Sequence, residues 1–309
     1  MNIKDKYLQI STLFLTLVTV GATSATAASL KSSDVVVIID ESGSMSQEQA
    51  WLGTIIPQLD TAMQSQGLVD NRFGLVGFGS SSETLGRSLP VGGANFGNSA
   101  QFATATNSLR LNGWFEDGYS AIDFALNNYT FREGAAVNFI LVTDEDRDNG
   151  NSSLNFNNIL ARLKRNPQDN KDDILLNAVV NANFVNNSLG VNSEGKAYIA
   201  NGSGGYTTTQ LPQPLTNFVT SDFGTTELDY IDLALDSGGA GWNLNQLRGG
   251  GLTGTSFSNA FIDAKVEEIK NQQIPEPGLV LGLLSAGVLG VISLGKRLTQ
   301  SVLNCSCKT

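Results

Sequence analysis

The chain has 309 residues, 41% of them hydrophobic, and a formal charge of −10; that length supports one sizeable domain with appendages. Of the 29 acids only Asp5 lies outside residues 28–277, and of the 19 bases only Lys4, Lys6, Lys296, Arg297 and Lys308 do, so that stretch carries 14 bases against 28 acids, a balance that repels nucleic acid and anionic lipid and attracts cations. Histidine is absent, which excludes Ser-His-Asp and Cys-His catalysis and the usual zinc hydrolysis within this chain, and Cys305 and Cys307 at the extreme end leave the body without thiol or disulfide.

In chain order, Lys4 and Lys6, an apolar run over 13–20 and Ala25-Thr-Ala27 read as a secretory signal peptide over 1–27, cut after Ala27. Residues 35–39 (VVVII) are consecutive β-branched apolar residues, as in a strand buried on both faces. Trp51, Ile55, Leu59 and Met63 recur at helical spacing over 47–64. Strands follow at 73–78 and, as a short edge containing Pro90, at 88–91. Residues 95–107 are polar and give no clear period. A helix runs to about Tyr129, a buried strand spans 137–142, and Ile159, Leu160 and Leu163 mark another helix before a strand at 174–180. Residues 186–221, rich in Gly, Ser, Thr and Asn, read as an insertion of loops or a small hairpin. The pattern resumes at 230–235 and 238–242. The last helix carries Phe257, Phe261, Ile262, Val266 and Ile269, and Gly254-Thr-Ser256 is expected in the loop before it.

Strands alternating with helices predict an α/β body over 28–273: a doubly wound, mostly parallel sheet with helices on both faces and right-handed crossovers. Beyond it, Pro275-Glu276-Pro277 precede an uncharged, mostly apolar run at 278–294, and Lys296-Arg297 follow. Seventeen such residues are near the lower limit for a membrane span. The bases favour a cytoplasmic tail at 299–309, so the body is expected to be exported and anchored by its C-terminal helix.

Asp40, Ser42 and Ser44 stand at alternate positions after the first strand, where open α/β sheets bind ligands. Loops after strands meet above one sheet edge, so residues 40–44, 116 and 144 can converge although far apart in sequence. Two hydroxyls and three carboxylates suit a hard divalent cation. The smaller reading also stands: Asp40 and Ser42 suit a cap on the helix that follows. Asp146 and Asp148 miss the spacing of a calcium loop and read as a solvated acidic rim.

Two families resemble these patterns. VVVIIDESGSM at 35–45, Glu116 six residues before Ile122, and FILVTD at 139–144 resemble the von Willebrand factor A (vWA) domain and its metal-ion-dependent adhesion site (MIDAS). The resemblance covers 34–270 outside the insertion. It implies a Rossmann-like fold and a bound Mg2+, or Mn2+ or Ca2+, held by Asp40, Ser42, Ser44, Glu116 and Asp144. It further implies a protein or surface ligand that offers a carboxylate. The order Pro-Glu-Pro, apolar helix, basic cluster over 274–298 resembles the PEP-CTERM sorting signal, which implies membrane retention and cleavage by an exosortase-type enzyme. The tail here runs longer than that family's. Function is expected to be metal-dependent adhesion or matrix assembly at the cell surface, without enzymatic activity; the alternative is a structural envelope or matrix component with no metal-dependent binding.

Overall fold

The structure is a computed structural model, and it describes residues 32–80, 85–164 and 173–272. The expected signal peptide and the apolar run with its flanking motifs lie outside these residues. No helix among the described residues is long and apolar enough to cross a membrane.

The chain begins with β1 (Ser32–Asp40), α1 (Ser46–Ser65), β2 (Asp70–Phe78), β3 (Arg87–Leu89), α2 (Ser99–Ala105) and α3 (Gly118–Asn128). It continues through β4 (Ala136–Thr143), α4 (Phe156–Leu163), β5 (Ile174–Val180), β6 (Ala182–Phe184), β7 (Gly190–Asn192), β8 (Lys196–Ala200), β9 (Tyr206–Gln210) and β10 (Val219–Asp222). It closes with α5 (Asp232–Ser237), β11 (Ala240–Asn243), α6 (Leu244–Arg248) and α7 (Gly251–Gln272). The main sheet has the order β3-β2-β1-β4-β5-β11-β7-β8-β9. β2, β1, β4, β5 and β11 are parallel neighbours, and every other pairing in the sheet is antiparallel.

The alternation of side chains along a strand sorts the core into two layers. Val35, Val37 and Ile39 of β1 pack with Leu52, Ile55 and Leu59 of α1 and Phe257 and Phe261 of α7. Val36 and Ile38 face the other way, onto Tyr119 and Ile122 of α3, Ile159 of α4 and Leu233 of α5. The expected α/β architecture with helices on both faces is therefore present. Residues 95–107 hold α2, whose start is a capping box: Gln101 N donates to Asn98 Oδ1 (2.9 Å) and Asn98 N to Gln101 Oε1 (3.0 Å).

Two expectations need correcting. Residues 186–221 hold the expected hairpin, β8 with β9, but not as a separate insertion: β7, β8 and β9 extend the main sheet beyond β11, while β10 pairs with β6 in a separate ladder. The cause is Trp242 on β11, fully buried and stacked on Tyr198 of β8 at 5.3 Å. Gly190 lies under the indole, where a Cβ would come within 2.4 Å of the ring. Glycine there marks a close approach rather than a loop. Secondly, residues 254–256 lie inside α7, with Ser256 Oγ donating back to Leu252 O (2.9 Å), and not in a loop before it.

α7 is tied to the sheet by a buried polar network. Lys265, fully buried, donates to Asn138 Oδ1 of β4 (2.6 Å) and Glu268 Oε2 (2.8 Å). Asn177 of β5 donates to the same Glu268 oxygen (2.9 Å) and accepts from Trp242 Nε1 (2.8 Å). Burial lowers the Lys265 pKa. Gln272, at the end of α7, donates to Asp173 O (2.9 Å) beside the start of β5. The body thus ends at the amino edge of the parallel strands, the edge where β1 begins, and opposite to Asp40.

Candidate metal centre

β1 delivers Asp40, fully buried, to the carboxyl edge of the sheet. The next residue turns inward: Glu41 accepts from Arg87 Nε (2.9 Å) and from Arg110 N (2.7 Å). Its carbonyl accepts from Asn112 N (3.0 Å) and Gly113 N (2.9 Å), and Trp114 N donates to Gly79 O (3.1 Å). Ser42 and Gly113 form an isolated parallel bridge. These bonds stitch the loops after β1, after β2 and before α3 together. Gly113 is obligatory at the seam, because a Cβ there would lie 2.3 Å from Gly79 O. Gly79 has φ +77°, and a side chain on it would meet both Glu116 Cγ (3.2 Å) and Asp40 Oδ1 (3.6 Å). Glu116 and Asp40 therefore meet over the same face of Gly79.

The oxygens form a connected set. Asp40 Oδ1 accepts from Ser42 N (2.6 Å) and Oδ2 from Thr143 Oγ1 (2.9 Å). Ser42 Oγ and Ser44 Oγ are 3.0 Å apart, and Ser44 Oγ donates to Asp144 Oδ1 (2.9 Å). Four of the five residues expected from sequence are thus joined by direct hydrogen bonds. The fifth, Glu116, is held through its backbone: its N–H donates to Asp148 Oδ2 (3.0 Å) and its carbonyl accepts from Asp148 N (2.9 Å). Asp117, the next residue, caps α3 and pairs with Arg147 Nε (2.8 Å). Asp148 is therefore a half-buried brace rather than a solvated rim, and Asp146 accepts from Thr225 N (3.3 Å). Asn155 caps α4.

Arg248 joins the cluster without having stood out in the sequence. From the end of α6 it donates to Asp144 Oδ2 (2.9 Å), to Ser44 O (3.2 Å) and to Glu48 Oε1 (2.7 Å). Thr143, which holds Asp40 Oδ2, did not stand out either. A signal existed for Arg248: it is the only base between Lys196 and Lys265.

Negative charge is poorly compensated here. Burial pushes Asp40 up to about 6, against the pull of its hydrogen bonds, and nearby Asp144 adds to the rise. Burial pushes Glu116 up to about 8, helped by Asp40, Asp148, Glu145 and Asp144. Burial raises Glu145, helped by Asp144, Asp146 and Asp148 and opposed by Arg248. Among the described residues, no three His, Cys, Asp or Glu side chains alone are arranged to hold a metal. Any cation here would need the two serine hydroxyls as well. That mixed oxygen set has the chemistry a hard divalent ion takes.

One consequence is measurable in chelated protein. A carboxyl whose pKa is higher folded than unfolded keeps its proton in the native state after the unfolded chain has lost it. Stability then falls as pH rises from the ordinary value to the raised one. We expect the metal-free melting temperature to decline between about pH 5 and pH 8, and Glu116→Gln to flatten that decline. A wild-type profile that rises across this window would contradict the arrangement.

No family model matches the sequence, and no curated protein does. Solved structures with a similar chain course include an aerotolerance-related membrane protein from Bacteroides fragilis NCTC 9343, crystallised with multiple mutations to serines. It shares 15% identity over 77% of this chain and 99% of that one, with a TM-score of 0.43. The conserved hypothetical protein BatB from Bacteroides thetaiotaomicron shares 16% identity over 78% of this chain and 98% of that one, with a TM-score of 0.44. A von Willebrand factor type A structure from Catenulispora acidiphila shares 18% identity over 48% of this chain and 33% of that one, with a TM-score of 0.33.

Proposed function

We propose that this chain is an exported binding module of the vWA type, anchored at first by its apolar C-terminal segment and processed there by an exosortase-type enzyme. It would hold one Mg2+, or Mn2+ or Ca2+, through Asp40, Ser42, Ser44, Glu116 and Asp144. Its partner would be a protein or surface ligand with a carboxylate, in adhesion or matrix assembly rather than catalysis. The observation that carries this reading is the chain of hydrogen bonds from Asp40 through Ser42 and Ser44 to Asp144, across loops a hundred residues apart, with Glu116 beside it.

When bound, the cation supplies positive charge and coordination positions that a partner's carboxylate can fill. The chain's own residues do the rest. Thr143 and the Ser42 amide fix the rotamer of Asp40. Asp148 fixes the backbone of Glu116. The site is at the sheet edge opposite Gln272, so a tether following that residue would leave it facing outward. Trp114, 78% exposed, stands two residues from Glu116 on a loop pinned to Gly79, and a large aromatic so exposed suits a contact surface.

Capture from a surface fraction of the producing cell tests this. Immobilised full-length chain should retain specific proteins in Mg2+ and release them in EDTA. Asp144→Ala should abolish retention, and Trp114→Ala should weaken it while leaving metal binding intact. Retention equal in EDTA and in Asp144→Ala would overturn the reading in favour of a structural component.

A further inference from the structure

The two edges of the main sheet are built differently. At one end β3 is three residues long, carries Arg87 and is followed at once by Pro90, devices that block pairing with another strand. At the other end β9 reads Tyr206-Thr-Thr-Thr-Gln210. It has neither charge nor proline, its residues favour strands, and residues 207–210 are exposed.

The ladder shows which backbone groups are open. β9 pairs antiparallel with β8, Thr208 opposite Tyr198. Leu211 N donates to Gly195 O, and Gly205 O accepts from Asn201 N, so the odd-numbered residues turn toward β8. Alternation then aims the N–H and C=O groups of Tyr206, Thr208 and Gln210 outward. Among the described residues nothing pairs with them.

We propose that β9 is a self-association edge, closed by the β9 of a second copy. An antiparallel pair centred on Thr208 sets Thr208 opposite its own counterpart, Thr207 opposite Thr209 and Tyr206 opposite Gln210. The three outward residues would exchange up to about six main-chain hydrogen bonds across one two-fold axis. Threonine facing threonine is a favourable cross-strand pair. The segment is its own complement and β9 carries no charge of its own, Asp263 of α7 being engaged by the Tyr206 hydroxyl (2.7 Å); on a body with 28 acids against 14 bases, this uncharged strip is where two copies can approach.

The axis stands normal to the sheet, so the strands of the two copies run oppositely and their carboxyl edges face opposite ways. On the metal-site reading above, such a pair is a two-headed bridge. The pairing itself does not depend on that reading.

The test is disulfide trapping of the full chain, with Cys305→Ser and Cys307→Ser removing the native thiols. Opposed Cα atoms in a hydrogen-bonded antiparallel pair are about 5.5 Å apart, within disulfide reach. Thr208→Cys should therefore oxidise to a covalent dimer at micromolar concentration. Adding Thr207→Lys and Thr209→Lys should cut the dimer yield at least tenfold with an unchanged melting temperature, because both side chains are exposed. Chelator should change neither result. A Thr208→Cys chain that stays monomeric, whether its thiol reacts freely or is shielded by another segment of the chain, would overturn the proposal, as would equal dimer yield with and without the lysines.

Discussion

Arg248→Ala should destabilise the metal-free protein by about 3 kcal/mol, read as a drop in the urea midpoint at unchanged slope. The guanidinium is 28% exposed, whereas its partners Glu48 and Asp144 are 1% and 7% exposed. Removing the cation leaves two desolvated carboxylates without a counter-charge, and the partial exposure of Arg248 holds the cost at the low end of the range for buried pairs. Glu48 is already strained in this sense: its Oε2 is buried with no hydrogen-bond partner. Adding Glu48→Gln to Arg248→Ala should therefore recover a large part of the loss, and the two substitutions should be far from additive. An Arg248→Ala protein as stable as wild type would mean that α6 is held by its packing and not by this ion pair.

Asp40→Asn has the opposite profile. Its affinity for Mg2+ should fall by on the order of a hundredfold or more, since loss of even an outer-sphere partner weakens metal sites by 10- to 100-fold. Metal-free stability at pH 7 should stay level or rise by about 1 kcal/mol. Burial lifts the Asp40 pKa to about 6, so at neutral pH the fold carries a carboxylate it would rather have protonated. Asparagine removes the charge and keeps the geometry. Its Oδ1 can still accept from Ser42 N, and its Nδ2 can donate to the Thr143 hydroxyl, which both donates and accepts. A residue that costs stability and is repaired by a neutral isostere is the signature of a functional group. A large loss of stability in Asp40→Asn would mark it as a structural hub instead.

The sequence carried much of this site because its elements are the strongly patterned ones. β1 and β4 each carry a run of consecutive apolar residues, 35–39 and 139–142, legible without a partner, and each ends in its oxygen-bearing loop. Glu116 was singled out only through its resemblance to the vWA pattern, six residues before Ile122. What was not legible depends on contacts between distant parts. β9 is a threonine strand with no apolar face, and only the stacking of Trp242 on Tyr198 explains why the sheet continues so far. α2 was hidden in a polar stretch, although Asn98 and Gln101 stood at capping-box spacing. Arg248 lies on a five-residue helix with no period of its own, and its role follows from where α6 docks. Asp148 reads as a surface acid until the backbone of Glu116 is brought beside it.

Calorimetric titration of Mg2+ into the chelated, full-length chain separates a metal site from a purely structural cluster. The wild type should show one saturable site per chain, with the heat lost in Asp40→Asn and sharply reduced in Glu116→Gln and Asp144→Asn, all three remaining folded. Heats for Asp40→Asn that match the wild type, or no saturable heat in either with Mg2+, Mn2+ or Ca2+, would contradict the metal site.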